Sequence, residues 1–504
     1  MSDPALTKLL ASYVPKLIQK RVIQDSAPIV SPFLEDFPAV VLFADISGFT
    51  ALTERLGEKD PVGVETLARI LNEYFGRLID IIHDYGGDVV KFAGDALIAI
   101  WPIVEDNILE GGVVTSSAAP ASRPGASVDQ TRARPDSVST ETQRRWILRA
   151  AECALKIREQ LLDFRSQESA LSLKIALATG QITHVHIGGV FNRWEFVMTG
   201  APLVELGIAD NLAKAGDILI SPSAFTLIRT DSDFASVEFS INGEIKEAAR
   251  LKSLRNTSQL SAGNERIEIP DTAQASLRPY IPASIIHRIS AGQSEWLAEL
   301  RKVTILFINL LDPSQITSLD MAQNLIRIIQ RMIYRFEGSL NKISQDDKGI
   351  MIDTAYGLPP LAHQDDPVRA VQAALMIRDE LKRLGIRSSI GITTGRVFCG
   401  LVGNSDRRVY TFLGNSVILA ARLMSIASMQ DEIMEREGVA VLCDRATYEA
   451  ARDQVEFEML AAQRIKGRSE PVDIFHPIRE KKAIIRPLSF RKRPKTEPRR
   501  HESS

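Results

Sequence analysis

Cysteine is scarce in this chain of 504 residues, which holds three cysteines at the widely separated positions 153, 399 and 443. This spacing excludes a disulfide framework and a zinc knuckle, and it favours a reducing compartment. Long apolar runs are missing as well, because no stretch approaches the ~18 consecutive apolar residues that a membrane-spanning helix needs. Neither charge sign is in excess, since the formal net charge is −2, which gives no reason to expect a nucleic-acid-binding protein. We therefore predict a cytoplasmic globular protein.

The chain does contain an internal repeat. Five segments recur in the same order: "VLFADI" with "ILFINL", "YGGDVVKF" with "FEGSLNKI", "ALKIREQL" with "ALMIRDEL", "IALATGQI" with "IGITTGRV", and "FVMTGAPLVELGIADNLAKAGD" with "YTFLGNSVILAARLMSIASMQD". A repeat of this kind predicts two domains of one fold. In the first pair, Asp45 of one copy stands where the other copy has Asn309.

The first copy is longer than the second by 31 residues between Gly87 and Ala154. That segment is rich in Ser, Ala, Pro and Gly, so it predicts a disordered surface insertion. The sequence thus divides into an N-terminal helical extension, a first domain with an insertion, a linker, a second domain and a basic disordered tail. Their predicted bounds are 1–34, 35–250 with the insertion at 105–142, 251–298, 299–480 and 481–504.

Each copy alternates β-branched or aromatic runs with amphipathic helical patterns. In the first copy, "AVVLFADI" predicts a buried strand and "VETLARILNEYFGRLIDIIHDY" a helix, while "DVVKFAGDALIAIW" predicts a hairpin. A second helix, "WILRAAECALKIREQLLDF", precedes the strand "SLKIALATG". The order β-α-β-β-α-β predicts an α+β fold of the ferredoxin-like, palm type, with helices on one face of the sheet.

Two carboxylates of the first copy have a pattern that suits metal chemistry. Asp45 ends a predicted strand, and Asp95 lies in the turn of the neighbouring hairpin. Two hard oxygen ligands at a sheet edge suit Mg²⁺, and the following "ISGFT" can present backbone N–H groups to an anion. Taken singly, the first Asp also fits a helix N-cap and the second a turn residue. Their joint occurrence in one copy favours metal-assisted phosphoryl chemistry.

These motifs carry a family resemblance. "FADISGFTALTERL" with "GGDVVKFAGDALIAIW" resembles the first catalytic half of class III nucleotidyl cyclases, in particular the soluble, bicarbonate-responsive adenylyl cyclases with tandem C1 and C2 domains. The likeness extends to "YVPKLI", "LRPYIPASIIHRI" and "IKGRSEPVDIF", and so covers roughly residues 10–250 and 275–478. It implies two cyclase homology domains that pair head to tail as a pseudo-symmetric C1–C2 dimer, with ATP in one of two related clefts.

The resemblance also implies a role for each matching position. Asp45, Asp95 and the carbonyl of Ile46 would bind two Mg²⁺ ions, with Mn²⁺ or Ca²⁺ as alternatives. The triphosphate would lie against the loop formed by Ser47, Gly48, Phe49 and Thr50. The remaining assignments are Lys174 and Lys466 for the phosphates, Lys342 and Thr411 for adenine, and Arg422 for charge on the α-phosphate. The implied reaction converts ATP into cyclic AMP and pyrophosphate.

Two positions depart from the family pattern. An Asn that orients the ribose is expected four residues before Arg422, where this chain has Ile418, and Asn415 lies one helical turn too early. Loss of one such polar contact lowers turnover by ~10²–10³-fold. In the second cleft, Lys91 matches one of two residues that bind bicarbonate, but the expected Arg is Gly207. We therefore do not expect bicarbonate stimulation, although Lys91 stays a candidate regulatory residue.

Other features have simpler interpretations. His184 and His186 alternate along a strand and are predicted to be structural. The tail "KKAIIRPLSFRKRPKTEPRR" fits a nuclear address, a peripheral contact with anionic lipid or a solvated tail. The large P-loop ATPase region that often follows in the soluble cyclases would carry GxxxxGK[ST], a motif this sequence lacks. The chain thus resembles a short form or a catalytic fragment.

Adenylyl cyclase is the leading functional hypothesis. A degenerate pseudo-cyclase that binds nucleotide and acts as a signalling module is the alternative, motivated by Ile418 and Gly207. A diguanylate cyclase is suggested by "GGD" alone, and it is disfavoured because the working carboxylate would be Asp95 rather than Asp88.

Overall fold

The computed structural model describes residues 4–47, 52, 60–94, 96–104, 138–161, 165–166, 169–241, 243–258, 267–292, 298–465 and 470–481. Several predicted features lie outside the described residues. They are Gly48, Phe49, Thr50, Asp95, Lys466, most of the predicted insertion and almost all of the basic tail. Everything below concerns the described part of the chain.

The first half begins with two short helices and then alternates strands and helices. In chain order its elements are α1 (Pro4–Ala11), α2 (Lys16–Gln24), β1 (Phe33–Ser47), α3 (Asp60–Asp84), β2 (Asp88–Ala93), β3 (Ala96–Pro102), α4 (Thr140–Leu161), β4 (Arg165–Ser166), β5 (Ser169–Ala170), β6 (Ser172–Val190), β7 (Arg193–Thr199), α5 (Ala201–Leu212), β8 (Ile218–Ile220), α6 (Pro222–Ile228), β9 (Ser232–Ile241) and β10 (Glu244–Leu254).

A helical connection leads into the second half, which repeats the order. Its elements are α7 (Gln274–Leu277), α8 (Ala283–Ser290), β11 (Glu299–Leu310), α9 (Leu319–Arg335), β12 (Ser339–Asp346), β13 (Gly349–Tyr356), α10 (Asp366–Arg383), β14 (Ser388–Gly403), β15 (Arg408–Leu413), α11 (Asn415–Ala427), α12 (Asp431–Glu437), β16 (Val439–Asp444), α13 (Arg445–Ala451), β17 (Val455–Gln463) and β18 (Val472–Glu480). Short 3₁₀ turns cover Arg229–Asp231, Asp271–Ala273, Arg278–Tyr280 and Pro313–Gln315.

Each half is built on one eight-stranded sheet, and the two sheets share a strand order. In the first half the order is β2-β3-β1-β6-β8-β10-β9, with β7 paired to β6. In the second it is β12-β13-β11-β14-β16-β18-β17, with β15 paired to β14. Most neighbours are antiparallel, whereas β6–β8 and β14–β16 are parallel. The predicted α+β fold, with two homologous domains in tandem, is confirmed.

The alternation of apolar residues along β1 explains why both faces of the sheet are covered. Val40, Leu42 and Ala44 belong to a core with helices α3, α4 and α6, whereas Ala39 and Val41 belong to a second core with α5. The two helices of the predicted β-α-β-β-α-β unit therefore lie on one face. Helix α5, which follows that unit, covers the opposite face.

A close glycine–aromatic contact recurs after the first long helix of each half. A Cβ on Gly87 would lie 2.7 Å from the ring of Trp101, and a Cβ on Gly338 would lie 2.5 Å from the ring of Tyr356. A shift of either aromatic ring would cost packing energy, because Trp101 and Tyr356 are fully buried. The glycines thus let the helix end pack directly on the hairpin that follows.

The two halves hold each other through equivalent contacts. In one direction, Asn72 of α3 accepts a hydrogen bond from the Gly403 N–H at 3.1 Å. In the other, Gln323 of α9 accepts from the Gly188 N–H at 2.7 Å and donates to the Gly188 carbonyl at 2.9 Å. Each half therefore docks its first long helix against the long strand pair of the other, which makes the molecule a pseudo-symmetric dimer within one chain.

The N-terminal helices join this interface. The buried carboxylate of Asp88 accepts hydrogen bonds from the N–H groups of Lys16 and Leu17, at 2.9 and 2.8 Å, and so caps α2. Beside it, Arg407 of the second half donates to the carbonyls of Val89 and Val90 at 2.8 and 3.4 Å. The Asp of "GGD" therefore serves a helix cap in this structure.

The domain boundaries stay a prediction, with the element ends as a guide. Strand β1 begins at Phe33 and β10 ends at Leu254, while β11 begins at Glu299 and β18 ends at Glu480. Helix α4 begins at Thr140, inside the range predicted for the insertion. Among the described residues, every helix is too short or too polar to cross a lipid bilayer.

Candidate active site

Asp45 lies at the end of β1, where it belongs to a network of three charged side chains. Its register partner on β6 is Lys174, whose Nζ is 2.9 Å from Asp45 Oδ2 and 2.6 Å from Asp210 Oδ1. Burial alone would lower the pKa of Lys174, but the ion pairs with Asp210 and Asp45 outweigh it and raise that pKa. Burial raises the pKa of Asp210, and the charge of Asp45 adds to that shift. The lysine therefore stays an ammonium between two carboxylates.

The second half has no such network at the equivalent positions. Asn309 pairs in register with Ser389, just as Asp45 pairs with Lys174. The Asn309 side chain is buried and donates to the Lys348 carbonyl at 3.1 Å, within its own hairpin. The Asp-to-Asn difference in the repeat is therefore a difference in an entire charged pair, which is present in one half and absent from the described residues of the other.

The surroundings of Asp45 are partly described. Ile46 is buried and pairs with Leu173 on β6, so its position relative to Asp45 is fixed by the sheet. Burial, aided by the charge of Asp45, raises the pKa of the Tyr74 hydroxyl well above its usual range. Ser47 ends β1. Its side chain, residues 48–50 that follow it, and Asp95 are outside the described part. The predicted convergence of Asp45 and Asp95 therefore stays a prediction.

Lys342 and Thr411 of the second half line the same cavity at the interface with the first half. Lys342 Nζ lies 3.0 Å from Asp353 Oδ2, its register partner on β13, and donates to the Phe92 carbonyl of the first half at 3.4 Å. Thr411 is buried on β15. Both residues line a cavity of about 110 Å³ between the halves. Two predicted adenine contacts of the second half thus face the first half across one cavity.

Lys91, the equivalent of Lys342 in the first half, lines the same cavity. Burial, together with the charge of Lys342, lowers the pKa of Lys91 to about 7, while Asp353 and Glu195 oppose the shift. Glu195 is itself buried and pairs with Arg193 at 3.1 Å. The centre of the interface therefore holds a cluster of charges, of which Glu195 and Asp353 are buried and the three cations are half-buried.

Helix α11 carries both Arg422, which matches the family pattern, and Ile418, which departs from it. Arg422 and Ile418 both lie on α11, one helical turn apart, and both are half-buried. Asn415 is the first residue of that helix and is exposed. The helix begins where Gly414 adopts a φ of 144°. The structure keeps Asn415 one turn before Ile418, so it does not occupy the position expected for the ribose-orienting Asn.

The second cleft differs from the anion site that the resemblance suggested. A Cβ on Gly207 would meet Asp347 Oδ1 at 2.5 Å, so a carboxylate of the second half occupies the space beside this glycine. Close by lies a cavity of about 530 Å³ lined by residues of both halves, including Val197, Leu310 and Leu325. None of the described residues that line it is charged. The lining of this cavity therefore favours apolar contents, whereas Lys91, the matching bicarbonate residue, lines the cavity that contains Lys342.

The two histidines of β6 are part of the packing. His184 and His186 are buried, and His186 stacks on Phe33 with ring centroids 4.0 Å apart. His186 Nδ1 also hydrogen-bonds the Tyr280 hydroxyl at 2.7 Å. Burial lowers the pKa of both rings, to about 3 for His184. The histidines are thus neutral core residues that tie β6 to the linker.

Two charged residues of this region were missed by the sequence analysis. Asp353 follows from the pattern in hindsight, because it lies opposite Lys342 in the hairpin "SLNKISQDDKGIMIDTAY". Asp210 has a weaker signal, an acidic residue near the end of the mostly apolar helix "APLVELGIADNL". Its contact with Lys174 depends on how α5 packs on the sheet, and no local pattern specifies that.

The tandem sheets, with a charged pair in one half and a Lys–Thr pair in the other, define the class of protein. The chain belongs to the adenylate and guanylate cyclase catalytic domain family, whose model matches residues 37–253 and 297–475. More particularly, it is 27% identical to adenylate cyclase type 10 of Rattus norvegicus, over 94% of this chain and 28% of that protein. The human protein of the same name is 28% identical, over 83% of this chain and 25% of that protein.

The chain thus spans little more than a quarter of the length of these mammalian relatives. Among solved structures, a class III adenylyl cyclase-like ATP-binding protein from Pseudomonas aeruginosa has a similar fold. Its TM-score is 0.53 at 14% identity, and the match covers 86% of this chain and 92% of that one. This likeness extends over both halves, and it supports the tandem fold alone.

Proposed function

We propose that this chain is an adenylyl cyclase, which converts ATP into cyclic AMP and pyrophosphate. The observation that carries the proposal is the division of charged and polar groups between the halves. Asp45 and Lys174 belong to the first half, and Lys342, Thr411 and Arg422 belong to the second. The family match and the similarity to proteins named adenylate cyclase support the same activity.

The donor set at Asp45 fits a divalent cation. Its carboxylate already binds one cation, the ammonium of Lys174 at 2.9 Å, and hard oxygen ligands suit Mg²⁺, Mn²⁺ or Ca²⁺. Asp45, the Ile46 carbonyl and Asp95 are the residues that we propose to hold two ions. When bound, such ions supply charge neutralisation for the triphosphate and lower the pKa of the ribose 3′-hydroxyl.

The remaining residues would bind and orient ATP. Lys342 can donate to the adenine N1 acceptor and Thr411 can accept from the N6 amine. Lys174, Lys466 and the loop 47–50 would hold the phosphates, and Arg422 would face the charge that builds on the α-phosphate. The 3′-oxygen then forms a bond to the α-phosphorus, the bond from that phosphorus to the pyrophosphate oxygen breaks, and the hydroxyl proton leaves to solvent.

The test is a cyclic AMP assay on the purified full chain with ATP and either Mg²⁺ or Mn²⁺. Asp45→Asn removes a proposed metal ligand, while Asp36→Asn, in the same strand, removes a carboxylate that accepts a hydrogen bond from Thr183 on the surface. We expect Asp45→Asn to lose activity by about 10²-fold or more and Asp36→Asn to keep it. Absence of cyclic AMP above the Asp45→Asn background would refute the proposal.

A pseudo-cyclase that binds ATP without turnover is the second candidate. The observation in its favour is Ile418, an apolar side chain one turn before Arg422 on α11. The variant Ile418→Asn separates the two candidates, with Met429→Asn, at an exposed position just after the helix, as its control. A slow enzyme gains turnover in the first variant, whereas a pseudo-cyclase binds ATP and stays inactive in both.

A further inference from the structure

We infer that Asp210 is a positioning residue for Lys174, which keeps the lysine ammonium from competing with a divalent cation for Asp45. The inference rests on the proposed function, because it takes Asp45 as a metal ligand. It concerns a residue of α5, a helix whose first turn lines the apolar cavity of about 530 Å³ between the halves.

The hydrogen bonds of Lys174 carry the inference. An ammonium has three N–H donors, and here Nζ contacts three oxygens: Asp45 Oδ2 at 2.9 Å, Asp210 Oδ1 at 2.6 Å and the Asp210 backbone carbonyl at 3.3 Å. Two of the three partners therefore belong to Asp210. If the Asp45 carboxylate binds a metal ion instead of Lys174, the ammonium loses one hydrogen-bond partner and keeps the two from Asp210. Lys174 then stays in place at the edge of the site.

The position of Asp210 in its helix is unfavourable in itself. It lies in the last turn of α5, where the helix dipole places partial negative charge, and that turn carries no basic residue. The pKa of its carboxyl is raised by burial and by the charges of Asp45 and Asp347. A carboxylate placed against both effects needs a compensating partner, and Lys174 is that partner.

The repeat supplies an independent comparison. By the alignment of Gly200 with Gly414, the counterpart of Asp210 in α11 is Met424, a buried apolar residue. The counterparts of Asp45 and Lys174 are Asn309 and Ser389. All three positions are charged in the half with the proposed metal ligand, and all three are uncharged in the other. The three residues thus vary as a unit.

Removal of Asp210 would leave Asp45 as the remaining carboxylate partner of Lys174. The ion pair between them would then tighten, and a cation would have to displace it. We expect Asp210→Asn to raise the dissociation constant for Mn²⁺ by roughly three- to fivefold, in line with a partly exposed ion pair. Asp210→Glu keeps the carboxylate and should recover most of the wild-type affinity.

The experiment measures Mn²⁺ binding to the full chain by electron paramagnetic resonance, which follows the loss of the free-ion signal, without nucleotide. Asp45→Asn establishes that the binding measured is at Asp45. Lys174→Met removes the ammonium, and Lys174→Met with Asp210→Asn tests whether Asp210 acts through it. Asp347→Asn is the matched control, since it removes a carboxylate close to Asp210 that has no contact with Lys174 in the described structure.

The expected result is a weaker affinity in Asp210→Asn, no further change when Asp210→Asn is added to Lys174→Met, and wild-type affinity in Asp347→Asn. An equal loss in both lysine backgrounds, or in Asp347→Asn, would mean a general charge effect and would overturn the inference. So would an unchanged affinity in Asp210→Asn, or Mn²⁺ binding that does not depend on Asp45. A chain that binds Mn²⁺ as expected but forms no cyclic AMP would refute the proposed function alone.

Discussion

At the scale of single residues, Lys342 owes its position to a second charge. Asp353 lies 3.0 Å from its ammonium and is buried. A change of Lys342 to an acceptor for guanine would therefore place two carboxylates side by side, and like charges in a buried pair oppose each other. The adenine preference that we propose is thus tied to the stability of the hairpin β12–β13.

We predict that Lys342→Glu alone unfolds at a lower temperature than the wild type and does not use GTP. Lys342→Glu combined with Asp353→Asn should recover thermal stability and raise the ratio of GTP to ATP turnover by about tenfold or more, because the new carboxylate can accept from guanine. Thermal unfolding and the yields of cyclic GMP and cyclic AMP measure both effects. Equal stability of the single and double variants would contradict the role given to Asp353.

Lys91 gives a prediction on pH. Its pKa falls to about 7 in the folded chain from a usual 10.5, so between these values the unfolded state binds more protons and stability rises with pH. Below about pH 7 the charged form is buried and the full cost applies. We therefore expect Lys91→Met to raise the unfolding temperature most near pH 6, with the gain fading towards pH 10.

The exposed Lys20 provides the control for this prediction. Lys20→Met removes the same charge from the surface of α2, and we expect its unfolding temperature to follow the wild type across the whole pH range. A gain in Lys91→Met that does not depend on pH would show that the lysine is not buried in its charged form.

The residues also show what a sequence can predict about a site. The contrast of Asp45 with Asn309 was visible in the repeat, because both lie at the end of the same strand pattern. The partners Asp353 and Asp210 were not predicted. The first depends on the exact register of a hairpin, which a one-residue slip would change, and the second depends on the packing of α5 over β6, which no local pattern specifies.

At the scale of elements, the ends of the helices depend on particular glycines. Gly87 follows α3 and packs on Trp101, with no room for a Cβ, whereas Gly76 lies inside α3, where a Cβ would meet Asn404 at an ordinary 3.8 Å. The same substitution should therefore have opposite effects at the two positions. Helix interiors favour Ala over Gly by about 0.5–1 kcal/mol.

We predict that Gly87→Ala destabilises the chain by about 1–3 kcal/mol, since a buried ring would have to move. Gly76→Ala should stabilise it by about 0.5–1 kcal/mol. Chemical denaturation of the two variants beside the wild type measures both changes. Destabilisation of similar size in both would mean that the interface at Asn404, and not the glycine–aromatic contact, sets the outcome.

The order of elements was more predictable than their limits. The alternation of strand and helix patterns predicted the β-α-β-β-α-β unit, because apolar residues recur every 2 positions in a strand and every 3.6 in a helix. Helix α3 nevertheless begins at Asp60, before the apolar pattern starts at Val64, and α4 begins at Thr140. The first turns, DPVG and TETQ, do not continue the apolar patterns of their helices, so the pattern could not place these starts.

At the scale of the whole molecule, Arg407 joins the halves. It is buried, donates to two carbonyls of β2, and has a pKa lowered to about 10 by burial. We predict that Arg407→Ala, which removes these two hydrogen bonds between the halves, uncouples them, so that thermal unfolding becomes broader or splits into two steps. Arg408→Ala, at the adjacent residue, is the comparison by calorimetry. A single sharp transition in Arg407→Ala would contradict this role.

The pairing of the domains followed from the resemblance and from the repeat, while the contacts that produce it did not. Asn72 and Gln323 occupy equivalent places in α3 and α9 and bind equivalent glycines of the opposite half. In the sequence they read as polar residues of amphipathic helices, which usually face solvent. Only the docking of one half on the other shows that they form contacts between domains, with Gln323 buried and Asn72 half-buried.

Because the two halves belong to one chain, dilution of the protein should not separate them. Two separate subunits with these reciprocal contacts would dissociate as their concentration falls, but here the segment between β10 and β11 keeps the halves on one chain. The local concentration of one half near the other is then fixed by the length of the connection, and it does not change with the amount of protein. The proposed cyclase should therefore give the same rate per molecule at the lowest copy numbers as at high ones.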